Sequence, residues 1–506
     1  MAFKFLSILL LLSSFNIEVF AISLEREQEL NAEFKEYCDN VSDNVIKSRY
    51  TVICSSDYHH YNARAGINHY NEKPEHDIRI ANYNMLHPGS NKNSYKDLAL
   101  LAKIINEYDL ISAQELIPRL GNDMRHNRDL VEMIKKDAKE AENLSKLYRS
   151  PGYVLILDEL RKLDPSWALI MSPRGEAASP SSVHEMLGFF YRASIVRPKV
   201  NEHCDEFASS KEEAIACYPL FRAPFFREDV ADAFSRKPFL ASFESGNFDF
   251  SLLNAHVIYT SSKDEELMRF ISNIAFGIDD YSQVGTGVTK ETYARFAEVK
   301  LALEMLDLLA DRYSEQDLIF AADMNLESKI SYFEIMMKQF SRFDLVGEMA
   351  TSLTPYRYGR GDVETNGFSS NYDHFILNNT ANAPCERDAK GKVHVTRQSY
   401  FEAHVDEWMK KYYIAREETG DAANPYQFSK EGEELMKERI QEHRQMLENT
   451  MTVVDGTIVP QYEDVDREVE IFKRRIFEEQ LSDQTYYKFY RELISDHFPI
   501  SINCKN

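Results

Sequence analysis

Positive charge is what this sequence has too little of: 59 lysines and arginines stand against 82 aspartates and glutamates, leaving a net charge of -23 at pH 7. Such a chain does not adhere to polyanions or anionic membranes through its overall charge, so an anionic substrate would have to be met by a bound cation or a local basic strip. Long apolar runs are missing too. The apolar stretch at residues 5–12 falls well short of the roughly 20 residues that a membrane-spanning helix needs, and no later segment is apolar enough to serve. Cys-x-x-Cys pairs and the Cys/His spacings of zinc sites are absent, as are internal repeats and low-complexity tracts.

What is present begins with an export pattern: Lys4, the apolar run, then Val19-Phe20-Ala21, small at the position a signal peptidase reads. Residues 1–21 are expected to be a cleaved signal peptide, which makes the protein secreted or periplasmic. The six cysteines are an even number and suit an oxidising compartment, though they allow 15 pairings. Pairing nearest neighbours joins Cys38 to Cys54, Cys204 to Cys217 and Cys385 to Cys504. At 506 residues and 43% hydrophobic, the chain can bury one large core or two smaller ones. Residues 22–75 read as an N-terminal extension, a charged helix followed by an irregular segment rich in Tyr and His. The adjacent His59 and His60 cannot both point one way on a regular element and are expected to be solvated. Asn40, Asn143 and Asn378 stand in glycosylation sequons, which matter only in a eukaryote.

The segment 77–116 organises the rest. Ile78 and Ile80 mark a buried strand ending at Asn82 and Asn84, and Pro88-Gly89 marks a loop. Ser94 and Asp97 can cap a helix with Leu98, Leu101 and Ile105 on one face. A second strand then delivers Gln114 and Glu115. If the two strands lie parallel, as a strand-helix-strand unit requires, Asn84 and Glu115 emerge at one sheet edge. An amide oxygen beside a carboxylate suits a hard divalent cation.

Downstream, Arg119, Arg125, Arg128, Lys135 and Lys136 form a basic strip, either a phosphate-attracting rim or a solvated helix face. Strand-like runs follow, one preceded by Glu185 and ending at Tyr191-Arg192, another ending at His256. A helix at 292–313 carries Phe296, Val299, Leu303, Leu306 and Leu309 on one face and feeds DLIFAADMNLE, which ends with Asp323 and Asn325. Asp373 opens one later strand; Asp496 and His497 open the last. Between them, residues 380–492 show helical spacing in three places (Phe401 to Tyr412, Met436 to Leu447, Val465 to Ile476) and read as a mostly helical insertion without sheet, broken near Pro425 and Gly456.

Taken together, IANYNML, LISAQEL, HEMLGFFYR, FRAPFF, LLNAHV, FAADMNLE, NYDHFIL and SDHFPI resemble the endonuclease/exonuclease/phosphatase superfamily, the metal-dependent phosphoesterases typified by deoxyribonuclease I. The resemblance spans residues 77–502, with 76–506 as the domain. It implies an α+β fold, a four-layer α/β/β/α sandwich with the site at one end. It further implies Glu115 and Asp496 as metal ligands, with Asn84 contributing to the metal or phosphate site, and Asp323 and Asn325 holding phosphate and nucleophile. His256 would pair with Glu185 as acid, and His497 with Asp373 as base. Arg119, Tyr191 and His374 would contact substrate. The cofactor implied is Mg2+ or Mn2+, with Ca2+ as an optional second ion. Two departures stand out: Ala322 where the family usually has glycine, and His374 where deoxyribonuclease I-like members usually have arginine.

The superfamily cuts nucleic acids, phosphoinositides, sphingomyelin and nucleotides, so fold alone does not choose a substrate. FAADMNLE and SNYDHFIL lack the tryptophan-rich and Trp-Cys-Asp-Arg elements of phosphoinositide 5-phosphatases, and no short hairpin with exposed aromatics suggests bilayer insertion. An exported DNA endonuclease is the favoured expectation. The alternatives are a secreted lipid phosphoesterase and a non-catalytic binding protein on the same scaffold.

Overall fold

The computed structural model describes residues 62–63, 74, 76–88, 96–116, 152–172, 185–208, 214–219, 234–258, 265–277, 288–313, 315, 317–344, 346–354, 368–378, 385–387, 393–397, 413–415, 426–448, 451–454, 457–460, 462–473, 491 and 493–505. The signal-peptide segment, Cys38, Cys54, His59, His60, Asn40, Asn143, the basic strip with Arg119, the FRAPFF segment and the helix expected at Phe401 to Tyr412 lie outside the described residues.

Two seven-stranded sheets form the middle of the molecule. The first contains β1 (Asn62–Ala63), β2 (Ile78–Asn84), β3 (Leu110–Leu116), β4 (Trp167–Met171), β5 (Met186–Arg192), β13 (Val395–Arg397) and β18 (Ile500–Cys504), in the order β1-β4-β5-β3-β2-β18-β13. The second contains β6 (Arg197–Lys199), β7 (Ala216–Cys217), β8 (Phe239–Ser245), β9 (Phe248–His256), β10 (Leu318–Asp323), β11 (Arg342–Asp344) and β12 (Asp373–Asn378). Its order is β11-β12-β10-β9-β8-β6, with β7 also on β8. Strands β2 and β3 are parallel, as are β9 and β10. Each of these pairs is crossed by helix: Leu98–Ile105 between the first, Glu265–Phe276 and Lys290–Tyr313 between the second.

The layers follow from side-chain alternation, because successive strand residues face opposite ways. Ile78, Ile80, Leu187, Phe189, Phe239, Phe243, Phe250, Ile319, Ala321, Phe375, Ile500 and Ile502 fill one buried cluster between the sheets. Phe189 stacks on Phe239 at 5.3 Å between centroids and meets Phe243 edge-on at 5.4 Å, which pins one sheet to the other. The opposite parity of the first sheet, Ala81, Tyr83, Ile111 and Ala113, packs under the helices Leu98–Ile105 and Gly152–Leu163. That of the second, Phe320, Ala322 and Ile376, packs under Lys290–Tyr313 and Ser331–Gln339. The result is helix, sheet, sheet, helix. Phe296, Val299, Leu303, Leu306 and Leu309 are all buried, as their spacing predicts.

Two spans contain strands that their spacing does not predict. The irregular N-terminal extension supplies β1, which pairs antiparallel with β4. The span expected to be free of sheet contains β13 on β18 and two separate hairpins, β14 (Tyr413–Ala415) with β15 (Tyr426–Phe428) and β16 (Met451–Val454) with β17 (Thr457–Pro460). Helical spacing dominates that span, and strands of three or four residues are too short to show a period of two. The second hairpin did carry a sequence sign, since Asp455-Gly456 between two apolar runs favours a two-residue turn. Helices Lys430–Glu448 and Val465–Lys473 stand where Met436 to Leu447 and Val465 to Phe472 predict them.

Disulfides join Cys204 to Cys217 and Cys385 to Cys504, both nearest-neighbour pairs. No described helix is long and apolar enough to cross a membrane. Because Phe189 is an aromatic link between the sheets, Phe189→Ala is expected to lower stability by about 3–5 kcal/mol in urea denaturation; a loss below about 1 kcal/mol would contradict the assigned core.

Candidate active site

The same alternation that builds the apolar interior turns polar at one end of the sandwich. Along β9 the inward residues run Phe248, Phe250, Leu252, Asn254, His256; along β10 Ile319, Ala321, Asp323; along β12, read backwards, Leu377, Phe375, Asp373. The register sets Asp323 beside His256 on one side and beside Asp373 on the other, so three functional side chains stand in one row. Just beneath them lies a buried amide layer that bridges the sheets. Gln114 Nε2 donates to Asn82 Oδ1 and to Asn254 Oδ1, both at 2.7 Å, and Asn254 Nδ2 donates to the Ala113 carbonyl at 2.9 Å.

Glu115 breaks the parity rule. Position 114 already faces inward, so 115 should point to the helical layer; instead the register shifts between Ala113 and Leu116, and Glu115 takes a left-handed backbone (φ 58°) that returns its carboxylate to the site. Asn84 Nδ2 donates to Glu115 Oε1 and to Asp323 Oδ2, both at 2.9 Å, while its Oδ1 accepts from the Leu86 N–H at 3.0 Å. The Asn84 amide nitrogen thus faces both carboxylates and holds them in place.

Two imidazoles approach Asp323 from either side. His256 Nδ1 lies 2.7 Å from Glu185 Oε2 and its Nε2 lies 3.7 Å from Asp323 Oδ2. His497 Nδ1 lies 2.6 Å from Asp373 Oδ2 and its Nε2 lies 3.6 Å from the same Asp323 oxygen. The Glu185 and Asp373 pairings are those the resemblance implies. Asp373 also accepts the Thr351 hydroxyl at 2.7 Å, and Ser352 bridges to His497 in antiparallel fashion, which joins the end of one sheet to the other. Burial opposes charge on both imidazoles, yet the carboxylates around them hold both above the ordinary histidine range, His497 well above it.

Several residues of the site escape sequence reading. Arg236 is buried against Glu185, with Nη2 2.9 Å from Oε1, and lies outside every quoted motif. Glu298 accepts backbone N–H groups from Ser235 at 2.5 Å and Ile258 at 2.8 Å, pinning the neighbours of Arg236 and His256. One helical turn away Arg295 donates to the Asn325 carbonyl at 2.7 Å. Asn325 itself is left-handed (φ 48°) and donates to the Val257 carbonyl at 2.9 Å. His87, in the loop after β2, lies 2.9 Å from Glu115 Oε2; its place three residues after Asn84 is the one signal that could have marked it. Burial works against its charge, but contact with Glu115 and Glu185 raises it to about 9. Burial likewise opposes ionisation of Glu115, but the same contact draws it down to about 2.

Two sequence expectations fail on parity and direction. His374 follows Asp373 and so faces the helical layer: it is fully buried, its Nε2 2.8 Å from the Leu326 carbonyl and its ring against Phe333. Tyr191 faces inward but at the far end of β5, packed 6.1 Å from Phe243 in the core. Neither can meet a substrate at this site. Asp496 lies at the site, Oδ1 4.0 Å from His497 Nε2, with Arg491 3.4 Å from Oδ2. A cavity of about 210 Å³, lined by Asn201, His203, Tyr313 and Glu315, opens at the opposite strand ends and holds none of these groups.

The donor set suits a hard or borderline divalent cation. Among the described residues, ligand atoms of Glu115, His256 and Asp323 lie within 4.8 Å of one another, as do those of Asp323, Asp373 and His497. Glu115 Oε2 and Asp496 Oδ1 are buried without a well-formed hydrogen bond. Asp496 belongs to neither group; Asp323, expected to hold phosphate and nucleophile, is common to both.

No family model matches the chain, and no curated protein matches it by sequence. Among solved structures it is similar to a humanized TDP2 of D. rerio (13% identity, 64% of this chain and 90% of that one, TM-score 0.31). It is similar also to a mannosyl-6-phosphatase of Bacteroides thetaiotaomicron (12%, 64% and 93%, TM-score 0.32) and to a beta toxin of Staphylococcus aureus (10%, 85% and 100%, TM-score 0.34). The chain's own layers and the motifs at its strand ends define its fold. It has a four-layer α/β/β/α sandwich, the arrangement that the sequence resemblance implies.

Proposed function

We propose that the protein is an exported, divalent-metal-dependent phosphodiesterase with nucleic acid, DNA above all, as its substrate. The observation that carries this reading is the symmetric setting of His256 and His497, each oriented by a carboxylate at Nδ1 and each aiming Nε2 at Asp323 Oδ2, 3.7 and 3.6 Å away. Two such imidazoles are what phosphodiester hydrolysis needs, since one proton must leave the attacking water and another must reach the departing oxygen.

In this reading residues 76–506 are the catalytic unit. His497 takes the proton from water and His256 returns one to the leaving oxygen; Glu185 and Asp373 fix the rings. Arg236 keeps Glu185 ionised from behind, and Asn84 keeps Glu115 and Asp323 from swinging apart. Glu115, Asp323 and Asp496 would hold Mg2+ or Mn2+. When bound, the cation would neutralise charge developing on the phosphate and, by offsetting the carboxylates, bring the imidazoles back toward neutral pH.

The second reading is a lipid phosphoesterase, which would use the same centre.

Full-length protein given plasmid DNA, RNA, sphingomyelin and phosphoinositides with Mn2+ or Mg2+ is expected to cleave DNA and to lose all cleavage in chelator; cleavage of lipid alone would move the substrate to the second reading. His256→Ala and His497→Ala are each expected to slow turnover by about 10²–10⁴-fold with an unchanged thermal melt. Near-normal turnover in either variant would remove that residue from the mechanism.

A further inference from the structure

We propose, resting on the reading of this centre as a divalent-cation site, that His87 is a nitrogen ligand of the cation and that the site therefore prefers Mn2+ to Mg2+. The loop after β2 is wound tightly to bring this side chain in. Leu86 and His87 are both left-handed (φ 47° and 49°), and so is Glu115 opposite them (φ 58°). Such backbone is unfavourable in non-glycine residues and persists where surrounding structure enforces it. Here the enforcement is visible: Met85 N–H donates to the Gln114 carbonyl at 3.2 Å, and His87 N–H to the Glu115 carbonyl at 3.1 Å. The loop is thereby laced to the bulge that redirects Glu115.

The strained pair faces each other in an unusual way. His87 Nε2 is 2.9 Å from Glu115 Oε2 and 3.6 Å from Glu185 Oε1. Yet both His87 Nε2 and Glu115 Oε2 are buried without a well-directed hydrogen bond. At hydrogen-bonding distance, that means the ring N–H direction misses the oxygen. Two ligands bound cis at about 2.1 Å from one ion lie about 3 Å apart, which matches the observed separation. An ordinary ion pair would reward alignment of the N–H with the oxygen and would not need three left-handed residues to form.

The ligand type then sets the metal. Mg2+ and Ca2+ select oxygen donors; Mn2+ shares that preference but accepts an imidazole more readily than Mg2+ does, and the later divalent ions more readily still. Glu185 is already engaged by Arg236 and His256, so it stays behind the site and leaves His87 and Glu115 as the ligating pair on this side.

The test uses full-length protein stripped with chelator, titrated calorimetrically with Mn2+ and with Mg2+, and pulsed electron paramagnetic resonance of the Mn2+ complex. Wild type is expected to bind Mn2+ at least about tenfold more tightly than Mg2+. His87→Ala and His87→Gln are each expected to weaken Mn2+ by about tenfold or more with little change in Mg2+. The histidine-nitrogen coupling to Mn2+ should disappear in His87→Ala and survive in His256→Ala. Unchanged Mn2+ affinity and coupling in His87→Ala would overturn the proposal while leaving the cation centre standing; failure of wild type to bind either ion would instead sink the reading of the centre itself.

Discussion

Asp323 Oδ2 is the atom on which the rest of the arrangement converges. It accepts from Asn84 at 2.9 Å and lies within 3.7 Å of both His256 Nε2 and His497 Nε2. Asn84 and His497 arrive with the first sheet and its flanking loop, His256 and Asp323 with the second. Such a meeting requires that two sheets stop at the same level, and the apolar interior of Phe189, Phe239, Phe243 and Phe250 keeps them there. Removing polar groups from water is unfavourable unless each finds a partner, and the amide layer of Asn82, Gln114 and Asn254 eases the passage from dry core to charged site.

Around this atom, buried carboxylates alternate with nitrogen and hydroxyl partners. Glu185 sits between Arg236 and His256, and Glu115 between His87 and Asn84. Asp373 sits between Thr351 and His497. Each carboxylate is pinned from behind and offers its remaining oxygen, or its imidazole's far nitrogen, to the centre. That is preorganisation of the kind that stabilises charge as it develops, since no group must reorient during a reaction. Arg295 and Glu298, one turn apart on a single helix, extend the scaffold to the backbone of Asn325 and Ile258.

Much of this was legible in the sequence because strand ends leave a mark: an apolar alternation that stops on Asn84, His256 or Asp323 states where a side chain will emerge. The parallel placement of β2 and β3 followed from the helix between them. What escaped has physical causes. A β-bulge cannot be read from alternation, so Glu115 is found at the site through a device that periodicity would have denied. His374 faces away from the site because adjacency in sequence is opposition in a strand, and Tyr191 lies at the far end because a strand has two ends. Arg236, His87 and Glu298 carry no periodic signal, and their roles exist only through partners brought together by the fold. The short strands β1 and β13 take their place from neighbours in the sheet rather than from their own two or three residues.

The central claim is that side chains from both sheets enclose a single cation-binding centre around Asp323. Anomalous diffraction from Mn2+-soaked crystals tests it most directly. A manganese peak is expected within about 2.5 Å of a Glu115 carboxylate oxygen, in the space bounded by His256, Asp323 and His497. Strong manganese peaks elsewhere on the molecule with none between these residues would contradict the account.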